Sequence, residues 1–227
     1  MKKTGLVLQN CNLADLLKKP IRYYAQSREE ILQLIPNNTR LVLDVGCGDG
    51  SFGMSVKKAI NAEVWGIELN SEAASIARTR IDNILVGDVS KVITDLPDSK
   101  FDCVVFNDVL EHLVDPFTVL LKIKNKLTAE GVIVCSLPNI RFIFTLYQLL
   151  VKKQWRYEDA GVLDKTHLRF FTKRSIMDTL EALGYKVLTI KGIHGINLWK
   201  FCLLGIVSLG YLNDARYEQF VCIAKPV

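Results

Sequence analysis

Several absences narrow the field at once. The 227 residues include six cysteines, Cys11, Cys47, Cys103, Cys135, Cys202 and Cys222, and no two form a C-x-x-C pair. That excludes zinc-ribbon and thioredoxin-like chemistry. No five basic residues run together, and 29 Lys and Arg against 24 Asp and Glu leave a net charge of only +5. A nucleic-acid-binding stripe is therefore not expected. The first apolar stretch, in MKKTGLVLQNCN, stops at Gln9 and Asn10, which is too short for the core of a signal peptide. No internal repeat or low-complexity segment stands out, and there are only three histidines.

What is abundant is apolar surface. Hydrophobic residues make up 49% of the chain, and the mean hydropathy is +0.19. A disordered chain is ruled out. A chain of this length suits one domain that buries roughly 70–75% of its unfolded surface and needs no disulfide or metal to fold. A membrane contact stays open, because the surplus must sit somewhere. Cys103 in DCVVF and Cys135 in VIVCS lie inside apolar runs. They read as reduced core residues of a cytoplasmic protein.

Strand-like and helix-like windows alternate along the chain. SREEILQLI, residues 27–35, reads as a helix with a capping-box spacing from Ser27 to Glu30 and a stop at Pro36. Arg40–Val45, Glu63–Glu68, Asn83–Val86, Phe101–Phe106 and a run from Gly131 read as five strands. Ser71–Arg80 and a stretch opened by Asp115-Pro116 and closed at Leu127 are helices between them. Thr172–Leu183 is a further helix stopped by Gly184, and Tyr185–Lys191 and Gln219–Lys225 are two last strands. This is an α/β pattern of βαβ units, with about seven strands in a mostly parallel sheet and one domain over 1–227.

The strongest motif is Leu43-Asp44-Val45-Gly46-Cys47-Gly48-Asp49-Gly50, at the end of the first strand. Glycines there let backbone approach a ligand closely, and ligands in open α/β sheets bind at the carboxyl ends of strands. Gly48, Gly50 and Gly53 satisfy the dinucleotide spacing G-x-G-x-x-G, with Glu68 as the following acid. The register argues against a nicotinamide dinucleotide, since Gly48 stands three residues past Val45. Asp44 would also face a pyrophosphate that it repels. An amino-acid-bearing nucleoside with a cationic ammonium and sulfonium suits these acids better.

The chain resembles the class I S-adenosylmethionine-dependent methyltransferases in LDVGCGDG (43–50), GIELN (66–70), GDV (87–89) and FNDVLEHLVDP (106–116), in the family's order. Within that family it resembles the type 11/23-like small-molecule O-methyltransferases. The resemblance implies a Rossmann-like, doubly wound, three-layer α/β/α fold whose seven-stranded sheet has an antiparallel last strand. It also implies the cofactor S-adenosyl-L-methionine. Asp44 then orients the methionine end, and Gly46, Cys47 and Gly48 supply backbone beneath it. Glu68 accepts both ribose hydroxyls, a bidentate task suited to a carboxylate. Leu69 packs on the adenine, Asp88 and Val89 read its edge, and Asn107 touches the methionyl group.

Amino-directed members often carry an Asn-Pro-Pro-Tyr-like motif after strand four. Asn107-Asp108-Val109-Leu110-Glu111-His112 stands there instead, which favours an oxygen acceptor. Asp108, Glu111 and His112 resemble the E-x-x-E-H cluster of small-RNA terminal 2′-O-methyltransferases, and His167 in HLRFFT resembles the later histidine that completes their divalent-metal site. Ubiquinone-pathway O-methyltransferases carry a related cluster. Asp108 departs from the Glu of those families, and its shorter arm puts the metal in doubt. Three readings stay open for Asp108, Glu111, His112 and His167: a structural network, a general base, and a metal site. A metal is allowed but not expected.

Segments 140–170 and 193–212 fall outside the alternation and are expected to build the substrate side, with residues 1–36 as an N-terminal helical cap. LPN (137–139) and DAGVLDKTHLRFFT (159–172) resemble a bacterial subgroup often encoded beside sugar-transferring enzymes. That implies a small-molecule hydroxyl acceptor: a glycan, a lipid-linked saccharide or a quinone-like ring. Trp155, Tyr157, Phe170 and Phe171 are candidates to stack it or to pack the core. The stretch 193–212 holds Lys200 and precedes a strand, so a lid, core helix, peripheral membrane contact or homodimer contact all fit better than a membrane span.

Overall fold

A computed structural model describes residues 28–197 and 210–227. Seven strands form one sheet in the order β3-β2-β1-β4-β5-β7-β6. They are β1 (Leu41–Val45), β2 (Glu63–Glu68), β3 (Asn83–Val86), β4 (Phe101–Asn107), β5 (Leu127–Pro138), β6 (Tyr185–Gly195) and β7 (Tyr217–Pro226). The first five pair in parallel. β7 lies antiparallel to both of its neighbours, β5 and β6, so the antiparallel last strand expected of the family is present.

Strands of a parallel sheet are covered on both faces and read as continuous apolar runs. All five residues of β1 are buried, one of them an acid, Asp44. Alternate residues feed two cores: Leu41, Leu43 and Val45 pack on one face with Phe101 and Ile133, and Val42 packs on the other with Val64 and Val105. The helices are α1 (Glu29–Leu32), α2 (Ser51–Ile60), α3 (Ser71–Ala77), α4 (Val89–Val92), α5 (Pro116–Lys126), α6 (Ile143–Leu150) and α7 (Lys173–Ala182).

Boundaries differ from the sequence reading where long-range pairing decides them. β5 begins at Leu127, before Gly131, because Leu127 pairs with Phe101 across a register shift. β6 runs past Lys191 to Gly195 because β7 starts early enough to pair with it. α1 is shorter than 27–35, and Arg28 rather than Ser27 stands at its N-cap without a side-chain capping bond. Residues 1–27 of the expected N-terminal cap, Ser27 and Cys11 among them, and Cys202 and most of the apolar stretch 193–212 lie outside the described residues. Asp115 caps α5 by accepting from Thr118 N at 3.0 Å, with Pro116 in the first turn.

Candidate active site

The carboxyl ends of β1, β2, β3 and β4 surround a cavity of about 560 Å³. Asp44, Gly46, Cys47, Gly48, Glu68, Leu69, Asp88, Val89 and Asn107 all line it. The loop after β1 is pinned to β2, since Gly46 N and Cys47 N both donate to Ile67 O, at 2.8 and 3.1 Å. Gly46 has φ +73, and a Cβ there would lie 2.5 Å from Val109 Cγ2. Glycine is therefore required twice over, by conformation and by space.

Glu68 ties the site together. Its Oε2 accepts from Gly48 N at 2.8 Å and its Oε1 from Asn70 N at 2.7 Å. Each oxygen retains capacity for one more donor, so the carboxylate could accept from a vicinal diol. Leu69 beside it is 72% exposed, an apolar shelf at the cavity edge. Asp88 caps α4 through Oδ1, which accepts from Ser90 N at 2.9 Å.

Two buried groups in this cavity lack hydrogen-bond partners. Asp44 is 1% exposed, and neither of its oxygens is hydrogen-bonded. Burial, with a smaller push from Glu68, raises its pKa to about 8. Asn107 Oδ1 is likewise buried and unpartnered. Buried polar atoms are almost always satisfied, so two acceptors left open in one cavity fit a cationic amino-acid end whose ammonium donates to both.

After β4 the chain turns sharply. Asp108 adopts a left-handed φ of 53° and is held on three sides. It pairs with Arg28, Oδ1 accepts from Ser136 Oγ at 2.6 Å, and Oδ2 accepts from the Gln219 amide at 3.2 Å. Asp108 therefore stands apart from the other three members of its cluster.

Those three converge. Glu111, His112 and His167 each offer a ligand atom, and the atoms lie within 4.8 Å of one another. Glu111 has no exposed surface, and neither oxygen has a hydrogen-bond partner. Burial raises its pKa to about 8, with Arg28 opposing and Asp164 adding to the shift. His167 Nδ1 lies 3.0 Å from Val162 O, and His112 Nδ1 lies 3.1 Å from Thr166 O. A carbonyl only accepts, and Thr166 Oγ1, also 3.1 Å from His112 Nδ1, gives its own hydrogen to Asp164 Oδ1; a proton on each Nδ1 satisfies these acceptors and leaves the lone pair on Nε2. His167 Nε2 stands 3.9 Å from Glu111 Oε1. The arrangement can take a proton from a hydroxyl. It also fits a divalent cation, with histidines oriented through backbone carbonyls as in known metal sites.

The loop that supplies His167 is fastened over the turn carrying Glu111, because Leu168 N and Arg169 N both donate to Glu111 O, at 2.8 and 3.0 Å. Of the aromatic candidates, Phe171 belongs to the core, while Trp155 is exposed and packs edge-on against Phe170. Arg28, Ser136, Thr166 and Gln219 were not anticipated. Arg28 and Gln219 are 191 residues apart, so no local pattern could have joined them.

Comparison with known proteins agrees with this geometry. A family model described as "Methyltransferase domain" matches residues 17–190. The chain is 30% identical over 206 residues to a ubiquinone biosynthesis O-methyltransferase of Actinobacillus pleuropneumoniae, covering 86% of this chain and 87% of the relative. It is 33% identical over 206 residues to the protein of that name from Haemophilus ducreyi, covering 86% of each. Among solved structures, a SAM-dependent methyltransferase from Archaeoglobus fulgidus superposes with a TM-score of 0.68 at 22% identity, covering 90% of this chain and 96% of that one.

Proposed function

Because the chain belongs to the class I S-adenosylmethionine-dependent methyltransferases, we propose that it methylates a hydroxyl of a small-molecule acceptor, with Glu111, His112 and His167 handling the acceptor's proton. Membership sets aside the nicotinamide reading of Gly48, Gly50 and Gly53. The observation that carries the oxygen assignment is the convergence of two imidazoles and a buried carboxyl beside the cofactor cavity. Relatives named ubiquinone biosynthesis O-methyltransferase support it.

S-adenosylmethionine supplies a methyl carbon on a sulfonium, already activated for in-line displacement. The protein's residues then have three tasks. Asp44 and Asn107 hold the ammonium, and Glu68 holds the ribose. The glycine loop lets the backbone lie against the methionine end. His112 or His167, each with its lone pair on Nε2, accepts the hydroxyl proton as the oxygen attacks. Positioning and proton removal are the main contributions a protein can make to such a step. Glu111, when ionised, stabilises the imidazolium that forms. The same three side chains would hold a divalent cation, which would lower the acceptor hydroxyl's pKa. Asp108 is committed to Arg28 and is not needed as a ligand.

The acceptor side in this reading is segment 140–170. Glycan, lipid-linked saccharide and quinone-like acceptors all present a suitable hydroxyl. The four described free cysteines are all buried, in keeping with a cytoplasmic enzyme. The decisive test is His112→Ala and His167→Ala with labelled cofactor. The variant that removes the base should lose about 10²–10⁴-fold in turnover, the usual worth of a general base, while S-adenosylhomocysteine binds as before. Unchanged turnover in both would remove the proton-handling role. Repeating the wild-type assay after exhaustive chelation distinguishes the two forms of the site: the general-base form keeps its activity and the metal form loses it.

A further inference from the structure

A cleft of about 710 Å³ shares no lining residue with the cofactor cavity. Phe144, Tyr147 and Gln148 of α6 form one side of it, and residues between Lys152 and Asp159, with Lys165, form the other. Local hydrogen bonds hold these walls. Gln154 N donates to Gln148 O at 3.0 Å, which folds the chain back on α6. Glu158 N donates to Leu163 O and Lys165 N to Glu158 O, each at 2.9 Å, which closes the loop 158–165 on itself. Lys165 directly precedes Thr166 and His167, so one wall of the cleft is the loop that delivers an imidazole to the proton-handling cluster.

Neither folding nor methyl transfer gives this cleft a role. Phe144, Tyr147 and Tyr157 are exposed at it, and aromatic rings left in water at one concave site are the mark of a ligand. Lys152, Arg156 and Lys165 face it against two carboxylates, Glu158 and Asp159. Asp159 is taken up by Lys165 at 2.7 Å, and Glu158 accepts from the Gln148 amide at 3.4 Å. Lys152 Nζ lies 5.6 Å from the centre of the Tyr147 ring. Among the described residues neither Lys152 nor Arg156 has a carboxylate partner. Rings able to stack, beside an ammonium and a guanidinium without counter-charge, complement a planar base joined to phosphates. Inorganic phosphate would use the cations and leave the rings in water. An alkyl chain would cover the rings without stacking on them.

We propose that this cleft is a further binding site and that it takes a nucleoside diphosphate, with the base on the aromatic rings and the phosphates on Lys152 and Arg156. The site goes beyond the methylation reading and does not depend on the acceptor.

The test is calorimetry on the full chain with S-adenosylhomocysteine saturating, which keeps nucleosides out of the cofactor cavity. Uridine, cytidine, guanosine and adenosine diphosphates, inorganic pyrophosphate, and dihexanoyl phosphatidylglycerol below its micelle concentration are titrated in turn. The expected result is a one-to-one complex with at least one of the nucleotides, and binding of pyrophosphate and of the phospholipid weaker by about tenfold or more. Lys152 and Arg156 are both exposed, so a Lys152→Glu, Arg156→Glu variant should keep its fold. It should bind the nucleotide about tenfold or more weakly with S-adenosylhomocysteine affinity unchanged, and Tyr157→Ala should weaken the nucleotide but not pyrophosphate. The charge-reversed variant localises the binding to this cleft even if the cofactor cavity stays empty. Binding of none of the nucleotides, equal binding by wild type and the charge-reversed variant, or pyrophosphate or phospholipid bound as tightly as the nucleotide overturns the assignment.

Discussion

Asp44 is the residue at which burial and function meet most sharply. A carboxyl that is 1% exposed and without a hydrogen-bond partner is costly to ionise. Its pKa stands at about 8 in the fold against an ordinary value of 3.8. Between those values the folded state holds a proton that the unfolded state has lost, so stability falls as pH rises from about 4 to about 8 and then levels off. Glu68 is the neighbouring charge that adds to this shift. A cationic ammonium reverses the balance, so binding releases the proton and affinity rises with pH up to about 8. At pH 7, calorimetry of S-adenosylhomocysteine in two buffers of different ionisation enthalpy should report close to one proton released. Affinity should gain up to about tenfold per pH unit below pH 8. An Asp44→Asn variant should lose both effects, and a wild-type enzyme with no proton release would contradict this account of Asp44. The residues that line the first cavity were legible because each sits in a short motif at a strand end. The fastening of Asp108 by Arg28, Ser136 and Gln219 was not, because those partners come from separate parts of the chain. That difference is why Asp108 stands apart from Glu111, His112 and His167, held by contacts that no spacing rule contains.

At the scale of elements, β2 and β3 were readable to the residue because both are short apolar runs bounded by turn residues. The ends of β5, β6 and β7 were not, since strand length there is set by the partner's register. α6 is the element whose surface is least explained by folding. Phe144, Tyr147, Leu149 and Leu150 on it, and Val151 after it, are all exposed, and Lys152, Lys153 and Arg156 follow. No helix among the described residues is long and apolar enough to cross a membrane. An apolar helix face followed by basic residues and Trp155 has the character of a surface that settles into an anionic bilayer interface. We therefore propose that a lipid-linked acceptor would be met at this element. Co-sedimentation with phosphatidylglycerol-containing vesicles should be lost in a Leu150→Asp, Val151→Asp variant and weakened by salt, with cofactor binding intact. Equal sedimentation of variant and wild type would assign this face another role.

On the scale of the whole molecule, the sheet order explains why one cavity collects motifs spread over residues 44–107. β1 lies between β2 and β4, and the carboxyl ends of neighbouring parallel strands face the same way. Four motifs in chain order thus become four walls of one site. A second cavity, of about 260 Å³, is a different kind of assembly, drawing on Arg28, the turn after β4, segment 160–167 and β7. It could be located only once those parts were folded together. The most direct test of the whole account is a calorimetric titration of S-adenosylhomocysteine into the wild-type chain and into Glu68→Ala. The account predicts one-to-one binding by the wild type and at least tenfold weaker binding by the variant, whose glycine loop loses its tie to α3 and whose ribose loses its acceptor. No binding by the wild type, or equal binding by both, would contradict it.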